Sequence, residues 1–158
     1  MKRTRSFFSL ICLAIVFSAT NALRAAPTVE LAAREQADAW LAVVDKGEYG
    51  EAWARSAPFF RIQISREEFV KALEKIREDL GAVEKRQLMR LFYTVRLPGS
   101  PDAHYVMIQY KTKFANREEP VVEIITPLLI NSDGDPVPVV DDPLTVKADW
   151  QVAGYYIQ

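Results

Sequence analysis

Tyr105-Val106-Met107-Ile108-Gln109-Tyr110-Lys111-Thr112-Lys113-Phe114 decides the fold class. Val106, Ile108, Tyr110, Thr112 and Phe114 alternate with Tyr105, Met107, Gln109, Lys111 and Lys113, a period of two that predicts a strand with one apolar face. Upstream, Met89, Leu91, Tyr93 and Val95 alternate with Arg86, Arg90, Thr94 and Arg96. They predict a strand that ends at the turn-forming Leu97-Pro98-Gly99-Ser100-Pro101-Asp102. Downstream, Val122, Ile124, Thr126, Leu128 and Ile130 predict the apolar face of a third strand. Pro127 has no N–H for a ladder, so this strand either lies at an edge or carries a bulge there. Ala148 to Ile157 predicts the fourth strand, with Trp150, Val152 and Tyr156 on one face. The Asp- and Pro-rich stretch Ser132–Lys147 between the last two strands is long for a hairpin loop.

Before Gly81 the apolar period is near four. Ala33, Ala37, Trp40, Leu41 and Val44 form one helical stripe, with Thr28 as its N-cap and Gly47 as its stop. Tyr49 to Ser56 predicts a second, short helix ended by Pro58, with Phe59-Phe60 passing into a connection. Ser65 and Glu68 form a capping box ahead of Phe69, Leu73, Ile76 and Leu80, and Gly81 follows as the helix end. The expected architecture is α+β: three N-terminal helices, then a four-stranded antiparallel curved sheet packed on the long first helix like a cone.

Working back to the start, Lys2, Arg3 and Arg5 precede the uncharged run Phe7–Phe17, and small residues follow. This is the pattern of a secretory signal peptide, too short for a membrane span. The expected domains are therefore a leader over 1–26, cleaved between Ala22 and Ala26, and a single domain over 27–158. Cleavage removes Cys12, the one cysteine of the 158 residues, which excludes disulfides, thiol chemistry and Cys-ligated metals from the mature chain. It also removes Lys2, Arg3, Arg5 and Arg24 but no acid, which takes the net charge from −1 to −5. An acidic surface argues against a nucleic-acid partner, and no transmembrane segment remains after cleavage. The expected location is periplasmic or extracellular.

Chemistry-bearing residues are few. His104 is the only histidine and shares the alternation of Val106 and Tyr110. Its functional reading is a general base or acid in a pocket, with Tyr110 or a carboxylate as partner; its bland reading is a partly solvated residue at a strand start. Without a Gly-x-Ser-x-Gly elbow a serine triad has little support. Asn131-Ser132-Asp133-Gly134-Asp135 sets oxygen ligands at alternate positions, which makes Asp133 and Asp135 the metal candidates. The glycine and distal glutamate of a calcium loop are out of place, so a solvated Asp-Gly turn is the competing reading. Glu123 and Asp149 are expected on the polar side of the last two strands, facing each other or opposite Lys111 and Lys113. Trp40, Tyr110 and Trp150 are the candidates for lining a ligand pocket, and the same aromatics at these periods serve equally as core. Nothing in the sequence calls for a cofactor.

Several elements together resemble a known family: Ala39-Trp40 with Asp45, Tyr49 to Trp53, Ser65 with Leu80-Gly81, Arg86, Leu97-Pro98-Gly99 with Pro101-Asp102, Tyr105-Val106, and Trp150-Gln151-Val152-Ala153-Gly154-Tyr155. In that order and spacing the chain resembles the bacterial domain-of-unknown-function family of DUF4019 type over nearly the whole mature domain. More distantly it is similar to nuclear transport factor 2-like cone folds. The resemblance implies a small exported protein and brings no catalytic residues. The Ser132–Lys147 stretch departs from the family pattern, which has a tight turn there. The expected role is a non-catalytic binding or interaction module of the cell envelope, with a protein or small-molecule partner. The alternatives are a pocket enzyme using His104 with a carboxylate and an assembly partner that self-associates as a homodimer.

Overall fold

The computed structural model describes residues 28–158; the leader and its cleavage site lie outside the described residues. Helix α1 (Val29–Asp45) starts where Thr28 Oγ1 accepts the Leu31 N–H. It buries Ala33, Ala37, Trp40, Leu41 and Val44, the stripe the period predicts. A short α2 (Tyr49–Ala54) follows. Pro58 does not lead into a mere connection: it opens a further one-turn helix, α3 (Pro58–Arg61). A proline is well suited to the first helical position, where its missing N–H has no partner to lose. Helix α4 (Arg66–Leu80) carries the full Ser65–Glu68 capping box. Gly81 ends it at φ 76°, and a Cβ there would sit 2.8 Å from the Asn116 side chain, so both backbone and space favour glycine.

Four strands then run as an antiparallel meander in the order β1-β2-β3-β4: β1 (Val83–Thr94), β2 (Tyr105–Phe114), β3 (Val121–Ile130) and β4 (Asp149–Ile157). Helix α1 lies across all four. Trp40, Leu41 and Val44 meet Val106, Ile108, Ile125, Leu129 and Val152, and Phe69 and Leu73 of α4 close the side. Each large apolar side chain buried there contributes about 1.5–3 kcal/mol. A smaller cluster covers the opposite face of the sheet at one end, where Ala57 and Phe59 pack on Tyr105, Leu128 and Ile130.

Three register shifts interrupt the ladders, at Val83/Lys85, Leu88/Arg90 and Thr126/Pro127, and the last two decide which site residues face inward. In β1 the pairs Leu88–Tyr110 and Arg90–Gln109 leave Met89 as an extra residue. Met89 therefore points out, 56% exposed, instead of joining Leu91 and Tyr93 inside. The parity behind it flips, and Arg86, expected on the polar face, turns into the core. In β4 the pairs Thr126–Gly154 and Pro127–Val152 leave Ala153 extra. Tyr155 then points inward and Tyr156 outward, the reverse of simple alternation. The bulge sits opposite Pro127, which lies in an interior strand, so of the two expected ways to accommodate that proline the fold uses the bulge.

Strand β3 differs from its expected pattern as well. Both of its faces are covered over most of its length, and Glu123, Ile125 and Leu129 are the residues on the α1 side. Glu123 is 0% exposed and pairs across with Tyr110 and Ile157. Asp149 pairs with Ile130 at the other end of the strands, so the two carboxylates do not face each other.

The 131–148 segment forms a strap between β3 and β4. A bridge from Ile130 to Pro136 begins it, and a 3₁₀ turn (Pro143–Thr145) lies near its end.

Candidate functional site

The most concentrated chemistry is a buried charge cluster to which six elements each give one side chain: Asp45 from α1, Arg77 from α4, Arg86 from β1, Thr112 from β2, Glu123 from β3 and Tyr155 from β4. Glu123 is its centre. Arg86 Nε donates to Oε2 at 2.7 Å and Nη2 to Oε1 at 3.2 Å, a bidentate pair. Tyr155 O–H donates to Oε1 at 2.6 Å, and the Thr112 hydroxyl donates to Oε2. Arg77 Nη2 stands 3.4 Å from Oε1, and donates to Tyr155 Oη at 3.0 Å. Arg86 also reaches Asp45 with both terminal nitrogens, at 2.7 and 3.1 Å, and Arg77 Nη2 lies 3.2 Å from Asp45 Oδ1.

Two cations against two anions make the cluster neutral. Burial works against the Arg86 charge, but its bonds to Asp45 and Glu123 outweigh that and hold it more basic than an ordinary guanidinium. Burial, and then the Glu123 carboxylate, push the Tyr155 phenol well above its ordinary value. The Glu123 oxygens accept from five donors, which leaves little capacity for a substrate. A cleft of about 330 Å³ lined by Asp45, Tyr49, Arg77 and Glu78 opens beside the cluster. Arg77 stacks on the Phe114 ring at 5.0 Å, and its Nε is buried without a partner among the described residues.

His104 is not partly solvated: it is 0% exposed. Its ring stacks on Tyr93, with Nδ1 2.5 Å from Tyr93 Oη. Nε2 accepts the Val140 N–H at 3.1 Å and lies 3.1 Å from the Pro138 carbonyl oxygen. The histidine therefore joins β1 to the strap. No carboxylate bonds to it among the described residues, and Tyr110 is elsewhere: its hydroxyl donates to Asp38, which Arg34 meets at 3.3 Å. Burial first, then the Asp38 carboxylate, raise the Tyr110 phenol.

Trp40 and Trp150 do come together, along a cleft of about 300 Å³ edged by Gln36, Arg55, Asp149 and Gln151. Both indoles are buried, and the Trp40 N–H donates to Ala52 O at 2.8 Å and lies 3.1 Å from Ser56 Oγ. Tyr110 is not part of that cleft. Asp133 and Asp135 are exposed in a turn closed by Asn131, whose Oδ1 accepts both of their backbone N–H groups. Among the described residues no three His, Cys, Asp or Glu side chains converge as a metal-binding set.

Two apolar grooves lie beside the bulge of β4. A groove of about 330 Å³ runs between α3, α4 and β4, lined by Phe60, Ile64, Phe69, Leu73, Ile76 and Tyr156. A second, of about 210 Å³, lies beyond it, between Phe59, Leu97, Met107 and Tyr156. The two share Ala153 and Tyr156, and Tyr156 stands 66% exposed where they meet. Sequence reasoning assigned Tyr156 to the interior and missed this surface; the signal was Pro127, whose bulge reverses the facing of the two tyrosines.

A family model described as a protein of unknown function, DUF4019, matches residues 36–135. The chain belongs to that family. The matched span of the DUF4019 domain holds Asp45, Arg77, Arg86, Thr112 and Glu123, while Tyr155, the later part of the strap and β4 lie past its end. It is shorter than the resemblance, which ran to Tyr155. No curated protein matches the chain. No described helix of this DUF4019 protein is long and apolar enough to cross a membrane.

Proposed function

We propose that this DUF4019 protein is an exported, non-catalytic interaction module of the cell envelope that holds a protein partner at the bulged end of β4. One observation carries the reading: two apolar grooves converge on the exposed Tyr156 ring. Apolar surface left open beside a sheet edge marks an interaction site, and tyrosine is enriched at such sites because its ring is large and its hydroxyl stays wet. The commitments of the polar groups point the same way. The two carboxylates of the charge cluster are taken up by its own arginines and hydroxyls, and His104 ties down the strap instead of facing a carboxylate. The leader pattern of residues 1–26 supports export to the periplasm or beyond. A bulged sheet wrapped on α1 supports distant kinship with nuclear transport factor 2-like cones.

The test compares wild type with Tyr156→Arg in co-purification from an envelope extract, alongside sedimentation of each pure protein. A partner retained by wild type and lost by the variant, with both monomeric, agrees with the proposal. A wild-type dimer that Tyr156→Arg converts to monomer makes the partner a second copy. Equal retention by both proteins contradicts the assignment of this surface.

A further inference from the structure

We infer that His104 is a proton-operated latch for the strap over residues 131–148. The strap is seated by its buried Val137 and Pro143 and by Val146, which packs against the core. One end is fixed independently of His104, where Val137 N–H donates to Leu129 O; at the other, Asp142 caps the strap's own 3₁₀ turn by accepting the Leu144 N–H. Between those ends the side-chain hydrogen bonds to the strap backbone both fall on His104 Nε2.

That nitrogen is shared by two groups with opposite needs. Val140 offers an N–H and requires a lone pair; Pro138 offers a carbonyl oxygen and requires a proton. In the neutral ring with its proton on Nδ1, that N–H donates to Tyr93 Oη and Nε2 accepts from Val140. In the imidazolium both nitrogens are donors, so Nε2–H turns to Pro138 O and the Val140 N–H loses its acceptor. Protonation therefore exchanges one strap anchor for another two residues away. From β1 the ring meets the Tyr93 hydroxyl, and Glu30 of α1 acts on that phenol. Among the described residues no charged side chain hydrogen-bonds to the ring, and the strap's own acids, Asp141 and Asp142, are exposed. A lone histidine switching its hydrogen-bond role in the physiological range is the simplest form of a pH-sensitive device. The segment it governs carries the exposed Val139, Val140 and Leu144.

The experiment uses the mature protein with ¹⁵N-labelled histidine, in which a single imidazole reports. The ring nitrogens and the Val140 amide exchange rate are followed together from about pH 8 to about pH 5. The expected result is an unprotonated Nε2 and a protected Val140 amide at the upper end. As Nε2 gains its proton, Val140 protection should fall about tenfold beyond the intrinsic pH effect, the change that one lost hydrogen bond produces. The Asn131 amide, bonded to Asp135 O, should not change. His104→Gln keeps an acceptor for Val140 that does not titrate, so its protection should stay flat. A ring that does not titrate in this range, or titrates with no response at Val140, overturns the inference. So does a His104→Gln protein with the wild-type pH dependence; if that variant fails to fold, the wild-type comparison alone decides.

Discussion

Arg86 and Glu123 are separated by 37 residues in sequence and joined by two parallel hydrogen bonds, Nε to Oε2 at 2.7 Å and Nη2 to Oε1 at 3.2 Å. The pair ties the outermost strand β1 to the interior strand β3 across β2, and Asp45 ties it to the end of α1. Glu123 is fully enclosed, and Arg77, Thr112 and Tyr155 complete its hydrogen bonding.

Removing one partner of such a pair strands the other. Glu123→Gln is expected to cost about 3–5 kcal/mol in urea unfolding, because Arg77 and Arg86 lose the anion between them. Arg86→Met combined with Glu123→Gln should cost less than the sum of the two single changes, with a coupling of about 1–3 kcal/mol. Additive losses would show that the two residues act separately.

The alkaline limb of stability should carry the signature of the tyrosines. Burial and Glu123 raise the Tyr155 phenol, and burial and Asp38 raise Tyr110. In the unfolded chain both ionise near pH 10. A raised folded value means that the stabilisation is complete below about pH 10 and is lost as pH climbs from there through the folded values. Melting temperature should therefore fall steeply above about pH 10, and Tyr155→Phe should flatten the fall while lowering stability at neutral pH. An unchanged alkaline slope in the variant would contradict the placement of Tyr155.

Much of this fold was legible because local chemistry and burial agree. The Thr28 cap, the Ser65–Glu68 box and the stripe from Ala33 to Val44 each read directly onto a helix, and Val106 to Phe114 onto a strand. The candidate site was not legible, for a physical reason. Arg86, Tyr155 and Tyr156 lie beyond bulges at Met89 and Ala153, and one extra residue reverses the facing of everything past it. Pro127 announced a bulge without saying which partner residue it would displace. Glu123 was unreadable for another reason: a carboxylate in an alternating strand reads as solvated unless its cations are known, and those come from α4 and β1. His104 was placed at a strand start, yet its burial depends on a strap with little periodic pattern of its own.

Trp40 provides a separate check on the core reading of the aromatics. Its indole N–H is bonded to Ala52 O, beside Ser56 Oγ, in a buried site. Trp40→Phe keeps most of the apolar volume but loses that bond, while Ala52 O keeps the Ser56 hydroxyl as a donor, so the cost should be about 0.5–1.5 kcal/mol. Thermal melting should show the loss; a variant as stable as wild type would mean the indole is there for a ligand instead.

The leader can be checked directly. N-terminal sequencing of the exported product should begin at a residue between Leu23 and Pro27. A product that retains Met1 would remove the basis for placing the protein outside the cytoplasm.

The interaction surface is the central claim, and a photo-crosslinking amino acid at position 156 tests it most directly. Tyr156 is two-thirds exposed, so the replacement should change stability by no more than about 0.5 kcal/mol. In cells, the account predicts one discrete adduct from position 156, suppressed by excess unlabelled wild-type protein, and none from the exposed position 111 on β2. No adduct from position 156, or equal adducts from both positions, would contradict it.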